Sequence, residues 1–195
     1  VKMSSRTGEN ILYSEMKETL LKSAIKETKK RNKKLNKIAV ERIASAISFA
    51  AIKYAILSQD PNKPIIFNSE KEIRFDGDTG PYIQYTYARI SSILRKEKQR
   101  QVQDYNLTTI EEYNIVDKLA VSPLIVKKAA AEVKPHIITN YLLELSHNIN
   151  EFYHAYPVLK APEEMKQSRL LLLSAAKIVI KNGLLLLAID APESM

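Results

Sequence analysis

The chain has 195 residues and no cysteine, so disulfides and thiolate metal sites are excluded. Its formal net charge of +8 favours a polyanionic partner such as nucleic acid. Glycine is scarce while Ala, Leu, Ile, Lys and Glu abound, which favours helix, and the apolar run from Leu170 is broken by Ser174, Lys177, Lys181 and Asn182 before it could span a membrane.

Residues 1–12 read as a loop, with Gly8 and Asn10 as turn residues and no apolar signal-peptide core. Val1-Lys2-Met3 reads as a cut into a longer chain. Ser14 can cap a helix from Glu15 to Asn32 whose acids come early and lysines late, as the helix dipole prefers. Lys22, Lys26, Lys29, Lys30, Arg31, Lys33, Lys34 and Lys37 fit a solvated helix face and equally fit phosphate contacts. A second helix is predicted from Ile38 to Leu57, with Ala44, Ile47, Ala51 and Tyr54 on its packed side. The stretch from Gln59 to Pro64 breaks it. Ile65–Phe67 and Ile73–Phe75 are predicted as a small hairpin or extended loop, the sole β content expected.

Asp76-Gly77-Asp78 is a turn in which glycine supplies a positive φ. Thr79 or Gly80 can cap a helix that opens with Pro81 and runs to Gln101, burying Ile83, Tyr87, Ile90 and Leu94. Tyr82 and Tyr85 are neighbours three apart, and Arg89 follows Tyr85 by four. Rings beside an arginine can stack on unpaired bases; they also fit residues at the edge of a core with wet hydroxyls. Arg95, Lys96, Lys98 and Arg100 form a second basic group.

Thr109 with Glu112 forms a capping box for a helix to Ala120, and Ser122-Pro123 opens another to Val133. Pro135 opens a long helix to Tyr156 with Ile138, Tyr141, Leu142, Leu145, Ile149, Phe152 and Tyr156 on one face. His136, His147 and His154 fall on the opposite face, roughly 16 and 10 Å apart at 1.5 Å per residue, too far for one metal ion. Pro162 opens the last long helix, which the glycine at Gly183 is predicted to end, with Leu184–Ile189 as a short terminal helix or tail. No nucleophile–base pair, Gly-rich phosphate loop or metal cluster stands out, so an independent enzyme is not indicated.

Several segments resemble the arginyl-tRNA synthetase family in the right order. Lys2-Met3-Ser4-Ser5-Arg6 is similar to the class I signature loop Lys-Met-Ser-Lys-Ser. Thr79-Gly80-Pro81-Tyr82-Ile83-Gln84-Tyr85 resembles the start of the family's anticodon-binding domain. Pro135-His136, Asn140-Tyr141-Leu142, Asn150-Glu151-Phe152-Tyr153 and Val158-Leu159 resemble its central helix, and Arg169-Leu170, Asn182-Gly183-Leu184 and Ala191 to Met195 its C-terminal part.

That resemblance implies an all-α helical bundle of the class I synthetase anticodon-binding type, the domain named for an Asp-Ala-Leu-Arg motif. It divides the chain into a signature loop at 1–12, connecting helices and an insertion at 13–75, and the bundle at 76–195. The implied parent activity is ATP-dependent ligation of L-arginine to arginine tRNA, with ATP and Mg used by a catalytic part upstream. Lys2, with Ser4 and Ser5, would serve catalysis in the parent enzyme; Lys2 would stabilise pyrophosphate, and Ser5 stands where the family pattern has its second lysine. The fragment alone is expected not to activate arginine. For the anticodon, the resemblance assigns Tyr82, Tyr85, Arg89, Asn150, Phe152, Tyr153 and Met195. It further implies a cytoplasmic monomer with no membrane association and no structural metal. The alternatives are an RNA-binding helical module of another class I synthetase and a helical scaffold that binds protein.

Overall fold

The computed structural model describes residues 12–63, 68–97, 100 and 106–195, which form seven α-helices and one 3-10 turn with no strand. Helices α1 (Tyr13–Arg31) and α2 (Lys37–Leu57) pack on each other. Asn36 caps α2 by accepting the Ala39 amide at 2.8 Å. Leu20 and Ala24 of α1 meet Ile43, Ala44, Ile47 and Ala51 of α2 in a core that Ile73 and Phe75 close.

Of the small hairpin or extended loop expected near 65–75, the described part holds no strand. Asn68 accepts the amides of Glu70 and Lys71, which winds Ser69–Glu72 into a one-turn helix, α3. Ile73 and Phe75 then turn into the core as loop residues. Ile65–Phe67 lie outside the described residues.

Gly77 has φ +76°, which lets the chain reverse into α4 (Gly80–Lys96). Thr79 is the cap: its Oγ1 accepts the Tyr82 amide at 3.2 Å, and its hydroxyl donates to the Arg74 carbonyl at 2.6 Å. The helix ends at Lys96, five residues short of the sequence expectation, where Glu97 becomes extended. At its start α4 crosses α2 so closely that a Cβ on Gly80 would lie 2.6 Å from the Ala50 carbonyl oxygen and 2.8 Å from Tyr54 Cβ.

Helix α5 (Ile110–Glu132) starts on the capping box of Thr109 and Glu112, but it does not stop at Ala120. It carries Pro123 in its interior. The proline's missing amide leaves the Leu119 carbonyl without an intrahelical donor; α6 (His136–Ala155) lies along α5, and the Tyr141 hydroxyl donates to the adjacent Lys118 carbonyl at 2.8 Å. Burial pushes the Tyr141 phenol up to about 12. A 3-10 turn at Val158–Lys160 leads to α7 (Glu163–Leu186). Gly183 does not end α7. It sits inside the helix because a Cβ there would press on the Leu142 side chain at 2.6 Å.

Helices α4 to α7 share a second core built on Ile83, Tyr87, Ile90, Leu142, Leu145, Ile149, Phe152, Leu170, Leu173 and Ile180. Inside it Arg169 donates from Nε to Glu112 at 2.6 Å, with both side chains almost wholly buried. Glu112 also accepts the amides of Thr108 and Thr109 at 2.7 and 2.9 Å. Burial raises its pKa, but those two amides and the guanidinium outweigh this and hold the carboxyl below its usual value.

The tail after α7 folds back over α2 and α4. Gln84, fully buried, donates from Nε2 to the Asp190 carbonyl at 2.7 Å and to the Ala46 carbonyl at 3.3 Å. Lys177 pairs with Glu193 at 2.7 Å, and Arg95 donates to the Glu193 carbonyl at 3.1 Å. Those three anchors fix the course of residues 190–195. Met195 consequently packs against the α1–α2 core.

Candidate nucleic-acid interface

A groove of about 670 Å3 opens between α4, the end of α6, the 3-10 turn and the tail. Tyr85, Arg89, Tyr153 and Met195, four of the residues expected from the sequence, line it together. Helical periodicity brings Tyr85 and Arg89 to one side of α4, and the tail's anchors bring Met195 into the same lining. Arg95, Lys96, His154 and Lys160 add polar and basic character to the rim.

Arg89 is the hub. Its guanidinium carbon lies 4.8 Å from the Tyr85 ring centre and 4.9 Å from that of Tyr153, so the cation sits against two aromatic faces. Its Nη1 donates to Asn150 Oδ1, and its Nη2 to the Tyr85 hydroxyl at 3.3 Å. Of five guanidinium N–H groups these bonds engage two, which leaves donors for a ligand. Tyr153 is 37 % exposed and presents ring surface at the rim.

Asn150 stands beneath the groove and reaches solvent very little. Its two Nδ2 hydrogens are shared among three acceptors, the Tyr82 hydroxyl at 3.0 Å, Thr86 Oγ1 at 2.8 Å and the Ser146 carbonyl at 2.9 Å. With its lone pairs so engaged, Tyr82 can donate onward to His147 Nδ1 at 3.1 Å. That tautomer places the imidazole proton on Nε2, 3.6 Å from Asp78. Desolvation raises the Tyr82 phenol pKa, partly offset by the Asn150 bond, so the phenol stays a neutral donor.

Phe152 requires a correction. It is fully buried in the second core, with Arg169 5.6 Å from its ring and Tyr156 stacked at 6.0 Å, so it has no face to offer a base. The helical phase of α6 puts it opposite Tyr153. Tyr82 and Asn150 support the groove from below and do not line it. Lys2, Ser4 and Ser5 lie outside the described residues. The histidines do not form one exposed row: His147 is half-buried against Tyr82 at a ring distance of 5.0 Å, whereas His154 is exposed at the groove.

Two contributors escaped the sequence reading. Phe75 meets Tyr85 edge-on at 6.0 Å, and Arg31 lies 4.4 Å over Phe75 and 5.9 Å from Tyr85. Arg31, Phe75, Tyr85, Arg89 and Tyr153 therefore form one column of cations and rings, drawn from α1, the loop before α4, α4 and α6. Only the Tyr85–Arg89 spacing was visible locally.

A sequence profile described as the DALR anticodon binding domain matches residues 83–195. The chain is 37% identical over 184 residues to the arginine–tRNA ligase of Pyrococcus furiosus, covering 89% of this chain and 29% of that protein. To the arginine–tRNA ligase of Thermococcus sibiricus it is 35% identical over 206 residues, covering 100% of this chain and 32% of that one. The arginyl-tRNA synthetase of Thermus thermophilus superposes with a TM-score of 0.90 at 32% identity, over 96% of this chain and 33% of that chain. The Plasmodium falciparum arginyl-tRNA synthetase gives 0.78 at 26% identity, over 93% and 32%. The chain thus spans about a third of the length of the proteins it matches.

Proposed function

Because the chain belongs to the DALR anticodon-binding domain family, we propose that it is the tRNA-reading portion of an arginine–tRNA ligase and recognises the anticodon of arginine tRNA. The observation that carries this reading is the groove in which Tyr85, Arg89 and Tyr153 stack around a shared cation beside Met195. Anticodon bases are single-stranded, so they can be splayed onto such rings and read by the remaining guanidinium donors. Tyr82 and Asn150 act by holding Arg89 in place; Met195 supplies an adaptable apolar wall.

Attachment of L-arginine, with its use of ATP and Mg, belongs in this reading to parts of the ligase beyond this chain. Lys2, Ser4 and Ser5 would join that site as its signature loop. The ligase is taken to work as a cytoplasmic monomer; among the described residues no helix is long and apolar enough to cross a membrane. This chain by itself is expected to give no arginine-dependent ATP–pyrophosphate exchange.

The test is affinity for an arginine tRNA transcript beside one whose central anticodon cytosine is replaced. The proposal expects weaker binding to the altered transcript and a loss of roughly 1–3 kcal/mol per stack in Tyr85→Ala or Tyr153→Ala. Equal affinity for both transcripts, with both variants folded and binding normally, would remove the groove from anticodon recognition.

A further inference from the structure

We propose that the last turn of α1 and the loop after it form a shoulder that binds the phosphate backbone of the RNA strand whose bases enter the groove. This rests on reading the groove as the base-recognition site. Between Thr28 and Val40 the chain carries Lys29, Lys30, Arg31, Lys33, Lys34 and Lys37 and no carboxylate. Lys29, Lys30, Lys33 and Lys34 are exposed, and among the described residues none has a carboxylate within 4 Å. Several cations elsewhere are matched, Arg95 and Lys177 by Glu193, Lys166 by Glu163 and Lys118 by Glu144, while Lys96 and Lys160 at the groove rim have no carboxylate within 4 Å among the described residues.

Helix-dipole stabilisation accounts for Lys29 and Lys30 in the last turn of α1. It does not account for Lys33 and Lys34, which lie past the helix end. Position decides the matter. Arg31, in the middle of the cluster, reaches over Phe75 to within 5.9 Å of the Tyr85 ring, which ties the segment that carries the lysines to the groove residue Tyr85. Inside the groove Arg89 is held by Asn150 and Tyr85, and Arg95 by Glu193. Lys96 and Lys160 offer counter-charge at the far rim, and the shoulder adds the densest run of unmatched cations, on the Tyr85 side of a strand that lays bases in the groove. Its ligand is the phosphodiester backbone, recognised by charge without regard to base.

The experiment measures binding of this chain, and of its Lys33→Gln/Lys34→Gln and Tyr85→Ala variants, to the two transcripts across a salt series. Both lysines are exposed, so the double variant is expected to keep its circular dichroism and Tm. The expected result is a slope of log affinity against log salt reduced by about 1.4, at about 0.7 per contact on a single strand, and roughly tenfold weaker binding near 0.15 M salt. That loss should be the same for both transcripts. An unchanged slope, or a loss confined to the cognate transcript, overturns the shoulder. The Tyr85→Ala variant judges the groove separately: it should lose cognate affinity at constant slope, and its failure to do so would sink the groove reading instead.

Discussion

Replacing Asn150 by alanine isolates the support under Arg89. The side chain takes part in four hydrogen bonds, to Arg89, Tyr82, Thr86 and Ser146. Three of them share the two Nδ2 hydrogens, so at about 1 kcal/mol net per hydrogen, with the Arg89 bond, the sum would be about 3 kcal/mol. The partners do not all become stranded, however. Thr86 still donates to the Tyr82 carbonyl, Tyr82 still meets His147, and Arg89 is half-exposed and can turn to water. A loss of about 2 kcal/mol is therefore expected, which for a chain of this size lowers Tm by about 4–8 °C. Freed from Oδ1, the guanidinium loses its fixed azimuth between Tyr85 and Tyr153, and cognate RNA affinity should fall about tenfold while the salt slope stays unchanged. Thermal unfolding by circular dichroism and filter binding at two salt concentrations read both quantities. A variant with the expected Tm drop but full affinity and full discrimination between transcripts would refute Asn150 as the positioner of Arg89.

Removing Arg169 as Arg169→Ala strands a buried carboxylate and should cost about 3–5 kcal/mol, read as a urea midpoint shift. The depressed Glu112 carboxyl contributes stability above its unfolded pKa, lost as pH falls through its lower folded value. Glu112→Gln should accordingly flatten the acid limb of a stability–pH profile below about pH 4.5, near the ordinary glutamate value; an identical limb would rule out this group. Gly80→Ala should destabilise by about 1–3 kcal/mol, because Ala50 and Tyr54 meet the new methyl with backbone and Cβ atoms that cannot swing aside. Val133, β-branched and at φ +54°, pays for a left-handed conformation, so Val133→Gly should stabilise by about 1 kcal/mol; a lower urea midpoint would contradict that.

What the sequence disclosed follows the range of each signal. The Thr109–Glu112 capping box, the Thr79 cap and the apolar stripes of α2, α4 and α6 are set by residues within a turn or two, and they were legible. Pro123 and Gly183 misled because their local signatures have two causes. Proline suits a helix start and also the interior of a helix packed along a neighbour, here α6. Glycine suits a helix end and also a close helix contact, here against Leu142. In the groove, Tyr85 and Arg89 could be paired from spacing, whereas Arg31 and Phe75 lie too far from Tyr85 in sequence for any periodicity to join them. Phe152 and Tyr153 are adjacent residues with opposite fates, which one helical step of about 100° decides.

The contact at Gly80 also bears on where this unit can be divided. The match to the anticodon-binding profile begins at Ile83, inside α4. A piece begun there would lack the Thr79 cap, the first residues of that helix and α2 itself, whose Ala50 and Tyr54 close on Gly80. Tyr85 and Met195 would lose the α1–α2 core they lean against. The folding unit therefore extends further towards the N-terminus than the anticodon-binding profile does, and limited proteolysis should leave α1 and α2 attached to the bundle after any nick near residue 83.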